Sequence, residues 1–243
     1  MLLPHRNRTG LCAGLLFVGL FGLGVAPAPA QKENTATKPE PRDENWKKRH
    51  EGFVAIAKKG DVDVVFLGDS ITDGWRGKPK AIFEAAFGAH KPLNFGVSGD
   101  RTQHVLWRIQ NGEIDGLKPK AAVIMIGTNN IGQNNAEPPA SAVAGIQAIV
   151  AHLKKSTPDT KILLLAVFPR GEKPDHPHRV AVKEINDAIA KLDGVRYLDI
   201  GPKFLQPDGT ISKEIMPDFL HLSEKGYQIW ADAIKDEVAA LMK

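Results

Sequence analysis

The chain has 243 residues, 42% of them hydrophobic, which is long enough for one α/β domain with a sizeable core. Its 32 basic and 28 acidic residues give a formal net charge of +4, and this near balance argues against a nucleic-acid partner. The single cysteine, Cys12, lies in the N-terminal apolar region. The rest of the chain therefore has no thiol for catalysis, metal binding or a disulfide.

The N-terminus has the three parts of a secretory signal peptide. Arg6 and Arg8 supply the basic region, an apolar run of 15 residues covers 11–25, and Ala-Pro-Ala, ending at Ala30, offers a cleavage site. The run is shorter than the roughly 20 residues that span a bilayer. We therefore expect residues 1–30 to be removed and the mature protein to be secreted or periplasmic, without a membrane anchor.

A polar segment separates this leader from the predicted domain. Residues 31–45 are rich in Lys, Glu, Thr and Pro, a composition typical of a flexible tether. The basic run 47–50 then indicates the exposed face of a first helix that turns Trp46 and Phe53 inward. The predicted organisation is a signal peptide, a tether and one domain over 46–243.

From residue 62 onward, apolar runs alternate with helical patterns. One helix carries apolar residues at steps of three and four between Val143 and Leu153, and the last helix follows a predicted N-cap at Ser223. Strands that are apolar on both faces and separated by helices predict a parallel sheet covered on both sides. The five predicted strands are Val62–Leu67, Pro92–Phe95, Ala121–Ile126, Lys161–Val167 and Val195–Ile200.

Polar residues follow three of these strands, at the edge where a doubly wound sheet binds its ligands. The first strand ends in Gly-Asp-Ser, with Ser70 last, and the next two lead into 94–100 and 127–130. Far downstream, Asp218 and His221 lie three residues apart on one loop. A serine nucleophile needs a base, and the base needs a group that orients it, so these side chains are the equipment for acyl transfer.

Three groups are candidates to bind an oxyanion: the backbone N–H groups of Ser70 and Gly99, and the side-chain amide of Asn129. Gly99 lacks a Cβ and lets its backbone approach a ligand, and Asn129 donates without adding a charge. Thr72 stands where a Gly-x-Ser-x-Gly elbow needs its second glycine, and no Gly-x-Gly-x-x-Gly follows the first strand. The pattern therefore matches neither an α/β-hydrolase elbow nor a dinucleotide site.

The order of these blocks resembles that of the SGNH (GDSL) hydrolases. The four blocks are Gly-Asp-Ser at 68–70, the glycine of 96–100, Gly-Thr-Asn at 127–129 and Asp-x-x-His at 218–221. The resemblance covers roughly 62–241 and is greatest to the branch that contains the catalytic subunits of platelet-activating-factor acetylhydrolase. The segments similar to that branch are 94–108, 127–130, 169–174 and 218–222.

This resemblance implies a flavodoxin-like three-layer α/β/α fold with a five-stranded parallel sheet. It implies Ser70 as the nucleophile, His221 as the base and Asp218 as the residue that orients the base. The implied oxyanion hole consists of Ser70, Gly99 and Asn129. An enzyme of this kind needs neither a metal nor a cofactor.

Other polar residues near the site have less specific explanations. Ser98 is a rival nucleophile, but it lacks the strand-end position of the Gly-Asp-Ser serine. Asp-His-Pro-His at 175–178 superficially suggests metal ligands, but no other cluster matches it, so we interpret it as an exposed loop. Asp69 is expected to hold its turn. Arg101 and Arg170 lie in loops near the expected cleft, where substrate contact and a surface role both stay open.

The leading hypothesis is a secreted serine esterase that acts on short-chain esters, above all acetyl esters, of a small molecule or a carbohydrate. The resemblance places Leu220 against the acyl pocket, and polar loops around the site disfavour a long acyl chain. Two alternatives stay open: a lysophospholipase-like lipid esterase and a catalytically silent binding module. The oligomeric state is also open, with a homodimer among the options.

Overall fold

Five parallel strands form the central sheet in the computed structural model, which describes residues 1, 34–132 and 136–243. The strands are β1 (Val64–Gly68), β2 (Pro92–Gly96), β3 (Ala121–Met125), β4 (Lys161–Leu165) and β5 (Arg196–Leu198). Their order is β2-β1-β3-β4-β5, which is the flavodoxin-like order and places β1 between β2 and β3. The predicted α/β fold is confirmed.

Helices follow the strands and cover both faces of the sheet. Short 3-10 helices occupy Gly74–Arg76, Gly88–His90 and Gly201–Phe204. The α-helices are α1 (Glu44–Ala57), α2 (Ser70–Asp73), α3 (Lys80–Phe87), α4 (Thr102–Gln110), α5 (Thr128–Gly132), α6 (Pro139–Ser156), α7 (Pro177–Ile189) and α8 (Glu224–Leu241).

The core consists of two apolar layers, one on each face of the sheet. Val65 and Leu67 belong to the layer that contains α1, α4, α6 and α7, whereas Val64 and Phe66 belong to the layer of α3 and α8. Every residue of β1 is buried, and for this reason its sequence is continuously apolar and does not alternate. Burial of a side chain such as Phe66 stabilises the fold by about 1.5–3 kcal/mol. The three-layer architecture is confirmed.

Two polar residues define the starts of the first and last helices. The Ser223 hydroxyl accepts the Gly226 backbone N–H at 3.2 Å, which confirms the predicted N-cap of α8. Asp43 caps α1 in the same way. Within α1 the expectation of an exposed basic run is wrong for His50, which is buried and donates from Nε2 to the Asn111 carbonyl oxygen at 2.9 Å.

The segment before α1 packs on the domain, which corrects the prediction of a flexible tether over 31–45 for its part from Asn34 onward. Ala36 is 0% exposed, and its carbonyl oxygen accepts the Thr102 hydroxyl at 3.0 Å. Thr35 hydrogen-bonds Glu137. Residues 34–243 accordingly form one compact unit, so the domain begins before residue 46. The polar composition of the segment did not reveal that it packs on the domain, because a carbonyl, a hydroxyl and a carboxylate make the contacts and such groups are also typical of a solvated tether.

Part of the predicted N-terminal organisation lies outside the described residues. This applies to the signal peptide over 1–30 and to residues 31–33, so cleavage and export stay predictions. Among the residues that are described, no helix has the length and apolar character needed to cross a membrane.

Candidate active site

Ser70 lies where β1 ends and α2 begins, at the carboxyl edge of the sheet. Its predecessor Asp69 caps α2, because its Oδ1 accepts the Ile71 backbone N–H at 3.0 Å, as predicted for a carboxylate that holds the turn. β2 passes directly behind this turn at Gly96, where a Cβ would lie 2.6 Å from the Thr72 carbonyl carbon. Only glycine permits this approach, which keeps the neighbouring loop beside the serine.

The downstream loop places an imidazole and a carboxylate in line with the serine hydroxyl. His221 Nε2 lies 2.9 Å from Ser70 Oγ, and His221 Nδ1 lies 2.6 Å from Asp218 Oδ2. An ionised carboxylate can only accept, so Nδ1 carries the ring proton and Nε2 presents a lone pair to the hydroxyl. The structure brings these three residues together in the order that a nucleophile, a base and an orienting group require, and their catalytic roles stay predictions.

The loop that carries Asp218 and His221 is internally fixed. Asp218 Oδ1 accepts the backbone N–H groups of Leu220 at 3.0 Å and His221 at 2.7 Å. Burial opposes ionisation of Asp218, but the hydrogen bonds from His221 outweigh it and hold the pKa of the carboxyl below its usual range. Phe219, which follows Asp218 in this loop, has φ 59°, a left-handed conformation that is rare for a bulky residue. Such strain costs on the order of 1–3 kcal/mol and is typical of functional loops.

Gly99 lies in the turn after β2, with φ 80°, a conformation that favours glycine. The Asp100 backbone N–H closes the turn onto the Val97 carbonyl at 3.1 Å. Ser98, the rival nucleophile, donates its hydroxyl to Asp73 Oδ2 at 2.9 Å and its backbone N–H to the same oxygen at 3.2 Å. Ser98 is therefore paired with a carboxylate acceptor, whereas the Ser70 hydroxyl is paired with an imidazole.

Asn129 lies at the start of α5, only 7% exposed, and its Nδ2 donates to the Asp100 carbonyl oxygen at 2.9 Å. Register explains why the two loops flank the serine: Gly68 of β1 pairs with Gly96 on one side and with Met125 on the other. The carboxyl ends of all three strands therefore share one edge. The structure thus brings the turn of Gly99 and the amide of Asn129 together, and their oxyanion role stays a prediction.

Asp69 has an electrostatic property that the sequence did not reveal. The residue is 0% exposed, and burial raises the pKa of its carboxyl to about 7, while the Ile71 N–H favours the ionised form. Within the described part of the chain no group donates to Oδ2. A carboxyl that is partly protonated near neutral pH places less negative charge beneath Ser70 than a fully ionised one would.

Arg170, whose role the sequence left open, and His176, which we expected in an exposed loop, both have structural partners, and the 175–178 segment leads directly into α7. Arg170 Nη1 donates to the Thr128 carbonyl and hydroxyl oxygens at 3.0 and 3.1 Å, and thereby holds the first turn of α5 next to Asn129. His176 caps α7, because its Nδ1 accepts the His178 backbone N–H at 3.2 Å.

A cavity of about 440 Å³ adjoins Ser70 and His221. Leu220 is not part of its lining; this side chain is half-buried and packs on the core layer that contains α8. Its predicted place at an acyl pocket therefore stays a prediction. The residues that line the cavity are Ser70, Gly74, Lys78, Pro79, Pro217, His221, Leu222, Ser223, Glu224 and Tyr227.

A family model described as the GDSL-like Lipase/Acylhydrolase family matches residues 66–229. The match spans more than half of the chain, and the chain therefore belongs to this family of acylhydrolases. The resemblance predicted from the four sequence blocks is confirmed.

Individual relatives agree with that assignment. Platelet-activating factor acetylhydrolase IB subunit alpha1 from Homo sapiens is 38% identical over 205 residues, which are 81% of this chain and 86% of the relative. The carbohydrate acetylesterase Est24 from Sinorhizobium meliloti has a TM-score of 0.60 at 21% identity, over 74% of this chain and 100% of that chain. The acetyl xylan esterase AlAXEase has a TM-score of 0.63 at 20% identity, over 72% and 98%. The two structural matches share the fold.

Proposed function

We propose that this protein is a serine esterase that uses Ser70 to hydrolyse acetyl and other short-chain esters of polar alcohols such as sugar hydroxyls. The observation that carries the proposal is the continuous hydrogen-bond chain from the Ser70 hydroxyl through His221 to Asp218, at 2.9 and 2.6 Å. Membership of an acylhydrolase family supports the reaction class.

In the first half-reaction, Ser70 Oγ attacks the ester carbonyl carbon and its proton passes to His221 Nε2. Asp218 accepts the hydrogen bond from Nδ1–H throughout, without taking the proton, and stabilises the imidazolium that forms. The tetrahedral intermediate then collapses, the alcohol leaves with the proton from Nε2, and the acyl group remains esterified to Ser70. In the second half-reaction, water attacks the carbonyl carbon of the acyl-serine while Nε2 takes its proton. The tetrahedral intermediate then collapses, Nε2 returns that proton to Ser70 Oγ, and the carboxylic acid leaves.

Negative charge develops on the carbonyl oxygen in both tetrahedral intermediates. We assign its stabilisation to the backbone N–H groups of Ser70 and Gly99 and to the Asn129 amide, which reach the site from three adjacent strand ends. Preorganised donors matter most where charge develops, so they lower the barrier more than they strengthen substrate binding.

The cavity beside the serine offers polar side chains to the alcohol portion of a substrate. Lys78, Ser223 and Glu224 contribute polar groups to its lining. Two larger cavities, of about 650 and 500 Å³, have linings that include neither Ser70 nor His221. Each methylene of a long acyl chain gains about 0.8 kcal/mol only if it is buried, which requires an apolar groove at the nucleophile. The names of the acetylhydrolase and acetylesterase relatives support a short acyl group.

Acyl preference is tested with p-nitrophenyl acetate and p-nitrophenyl octanoate, two esters of one alcohol, with Ser70→Ala as the blank for background hydrolysis. We expect kcat/KM to favour the acetate by at least about tenfold, as the names of the acetylhydrolase and acetylesterase relatives suggest. A preference of that size for the octanoate would replace the proposal by the lipid-esterase alternative. Acetylated xylooligosaccharide and a 2-acetyl glycerophospholipid, compared at equal concentration, then distinguish a sugar alcohol from a lipid alcohol.

Asn129→Ala should lower kcat by about 10²–10³ and leave KM nearly unchanged, because its amide bonds the oxyanion mainly in the transition state. Asn130→Ala is the matched control, since this neighbouring amide, which is also buried, donates to Thr102 Oγ1 at 3.1 Å and not to the turn of Gly99. We expect the control variant to be less stable than wild type, with kcat lowered by less than about threefold. An Asn129→Ala variant that changed only KM would reassign this residue to substrate binding.

A further inference from the structure

Arg42 lies across the turn that presents Gly99. Its Nη1 donates to the Ser98 carbonyl oxygen at 2.7 Å and to Asp100 Oδ1 at 3.0 Å, so one guanidinium grips the residues before and after the glycine. A Cβ on Gly99 would lie 3.1 Å from both Nη1 and Nη2. The glycine therefore permits both the left-handed turn and the close approach of the Arg42 guanidinium to the backbone.

Further hydrogen bonds hold Asp100, the last residue of the turn, and one of them comes from Trp46 in α1. Trp46 Nε1 donates to Asp100 Oδ1 at 2.7 Å, and Arg108 Nε donates to Asp100 Oδ2 at 2.9 Å. Asn129 donates to the Asp100 backbone oxygen. Both side-chain oxygens and the carbonyl of Asp100 are thus engaged, and one buried residue links the two loops that hold the candidate oxyanion donors.

The cap of α1 fixes the backbone position of Arg42 beside the 98–100 turn. Asp43 caps α1 by accepting the N–H groups of Asn45 and Trp46 at 3.0 and 3.1 Å, which sets the direction of the chain at the preceding residue. The Arg42 side chain is 30% exposed, whereas that of Asp100 is fully buried. A guanidinium suits this position because its planar fork can bond two acceptors at a fixed angle, which a lysine ammonium cannot reproduce.

We propose that Arg42 is a positioning residue for the oxyanion hole: it fixes the 98–100 turn so that the Gly99 N–H meets the developing charge. The inference rests on the proposed function. It assigns a role in turnover to a segment whose composition predicts a tether, and the role is exerted through Gly99 without contact with the substrate. Displacing a catalytic group by about 1 Å can cost on the order of 10²-fold in rate. Loss of the Arg42 hydrogen bonds to the turn should therefore cause a measurable fall in kcat.

The test compares wild type, Arg42→Ala and Arg42→Lys with p-nitrophenyl acetate, with Lys47→Ala as the matched control. Lys47 pairs with Glu44 on the exposed surface of α1 at 2.7 Å, so its variant removes a cation nearby without touching the turn. We expect Arg42→Ala to lower kcat about 10–100-fold with KM within about threefold, Arg42→Lys to fall between, and the control to match wild type. Millimolar guanidinium should restore part of the Arg42→Ala rate, whereas sodium chloride at equal ionic strength should not.

Methylboronic acid, which forms a tetrahedral adduct with an active serine, provides a second readout. Its affinity should weaken in parallel with kcat in Arg42→Ala, while thermal unfolding and circular dichroism show a folded protein. Wild-type kcat in both Arg42 variants, or a loss that guanidinium does not rescue and that tracks unfolding, would overturn the role of Arg42 and leave the esterase intact. A wild type without turnover, or labelled by a phosphonate at another serine, would overturn the proposed function and this inference with it.

Discussion

Replacing Ser70 by alanine is expected to remove ester hydrolysis almost completely, with a fall in kcat of about 10⁴–10⁶-fold. In the proposed mechanism the Ser70 hydroxyl, whose oxygen lies 2.9 Å from His221 Nε2, accepts the acyl group, and alanine has no oxygen that could do so. The fold should be unchanged, because the half-buried hydroxyl is replaced by a smaller group. Initial rates with p-nitrophenyl acetate and a thermal unfolding curve measure the two properties.

Ser98→Ala provides the comparison for this result. Its hydroxyl donates to Asp73, so the variant should retain most of the activity and lose about as much stability as one exposed hydrogen bond provides, roughly 0.5–1.5 kcal/mol. A fluorophosphonate probe followed by peptide mass spectrometry should modify Ser70 in wild type. Modification at Ser98, together with an inactive Ser98→Ala variant, would reverse the assignment.

Asp218 and His221 are expected to behave as one unit. His221→Ala should lower kcat by about 10⁴–10⁶-fold and Asp218→Ala by about 10⁴-fold, because the carboxylate acts only by orienting and stabilising the imidazole at 2.6 Å. The double variant should therefore be within a few-fold of His221→Ala. Steady-state rates of the two single variants and the double variant complete this cycle.

Asp208→Ala is the control for that cycle. Asp208 is an exposed aspartate whose Oδ1 accepts the Thr210 backbone N–H at 2.9 Å, the same local turn that Asp218 makes with Leu220 at 3.0 Å, without a histidine partner. Its variant should keep wild-type turnover. If the losses from Asp218→Ala and His221→Ala multiplied in the double variant, the two residues would act independently and the orienting role would be wrong.

The sheet and the convergence of Ser70 with the loops after β2 and β3 were predictable because they depend on local patterns and on one topological rule, whereas the role expected of His221 came from the resemblance of the Asp-x-x-His block. Continuous apolar runs mark buried parallel strands, and in such a sheet all carboxyl ends share one edge, so Ser70 and the residues after β2 and β3 had to converge. Strand boundaries differ by up to two residues at the first strand, where Val62 is predicted but pairing starts at Val64. The last strand is shorter, Arg196–Leu198, because only those residues pair with β4.

The support behind the site was not predictable in the same way. Arg108 is fully buried between Asp100 and Glu113, although an arginine on an amphipathic helix is ordinarily an exposed residue. The packing of Ala36 on the domain and the hydrogen bonds of Arg42 to the 98–100 turn likewise depend on partners that are distant in sequence. No hydrophobic periodicity in the sequence marks such contacts. The near-neutral pKa of Asp69 follows from its complete burial, which a single sequence does not display.

Ser70 and His221, whose side chains meet in the folded protein, are 151 positions apart in the sequence. A chain that emerges from the ribosome at roughly 5–20 residues per second exposes Ser70 about 8–30 s before His221. During that interval the Gly-Asp-Ser turn can form, but the imidazole of His221 that contacts its hydroxyl has not yet been synthesised. Under the proposed function, the acquisition of reactivity is thereby coupled to the completion of synthesis, because a chain that stops before residue 218 lacks both the proposed base and its orienting group.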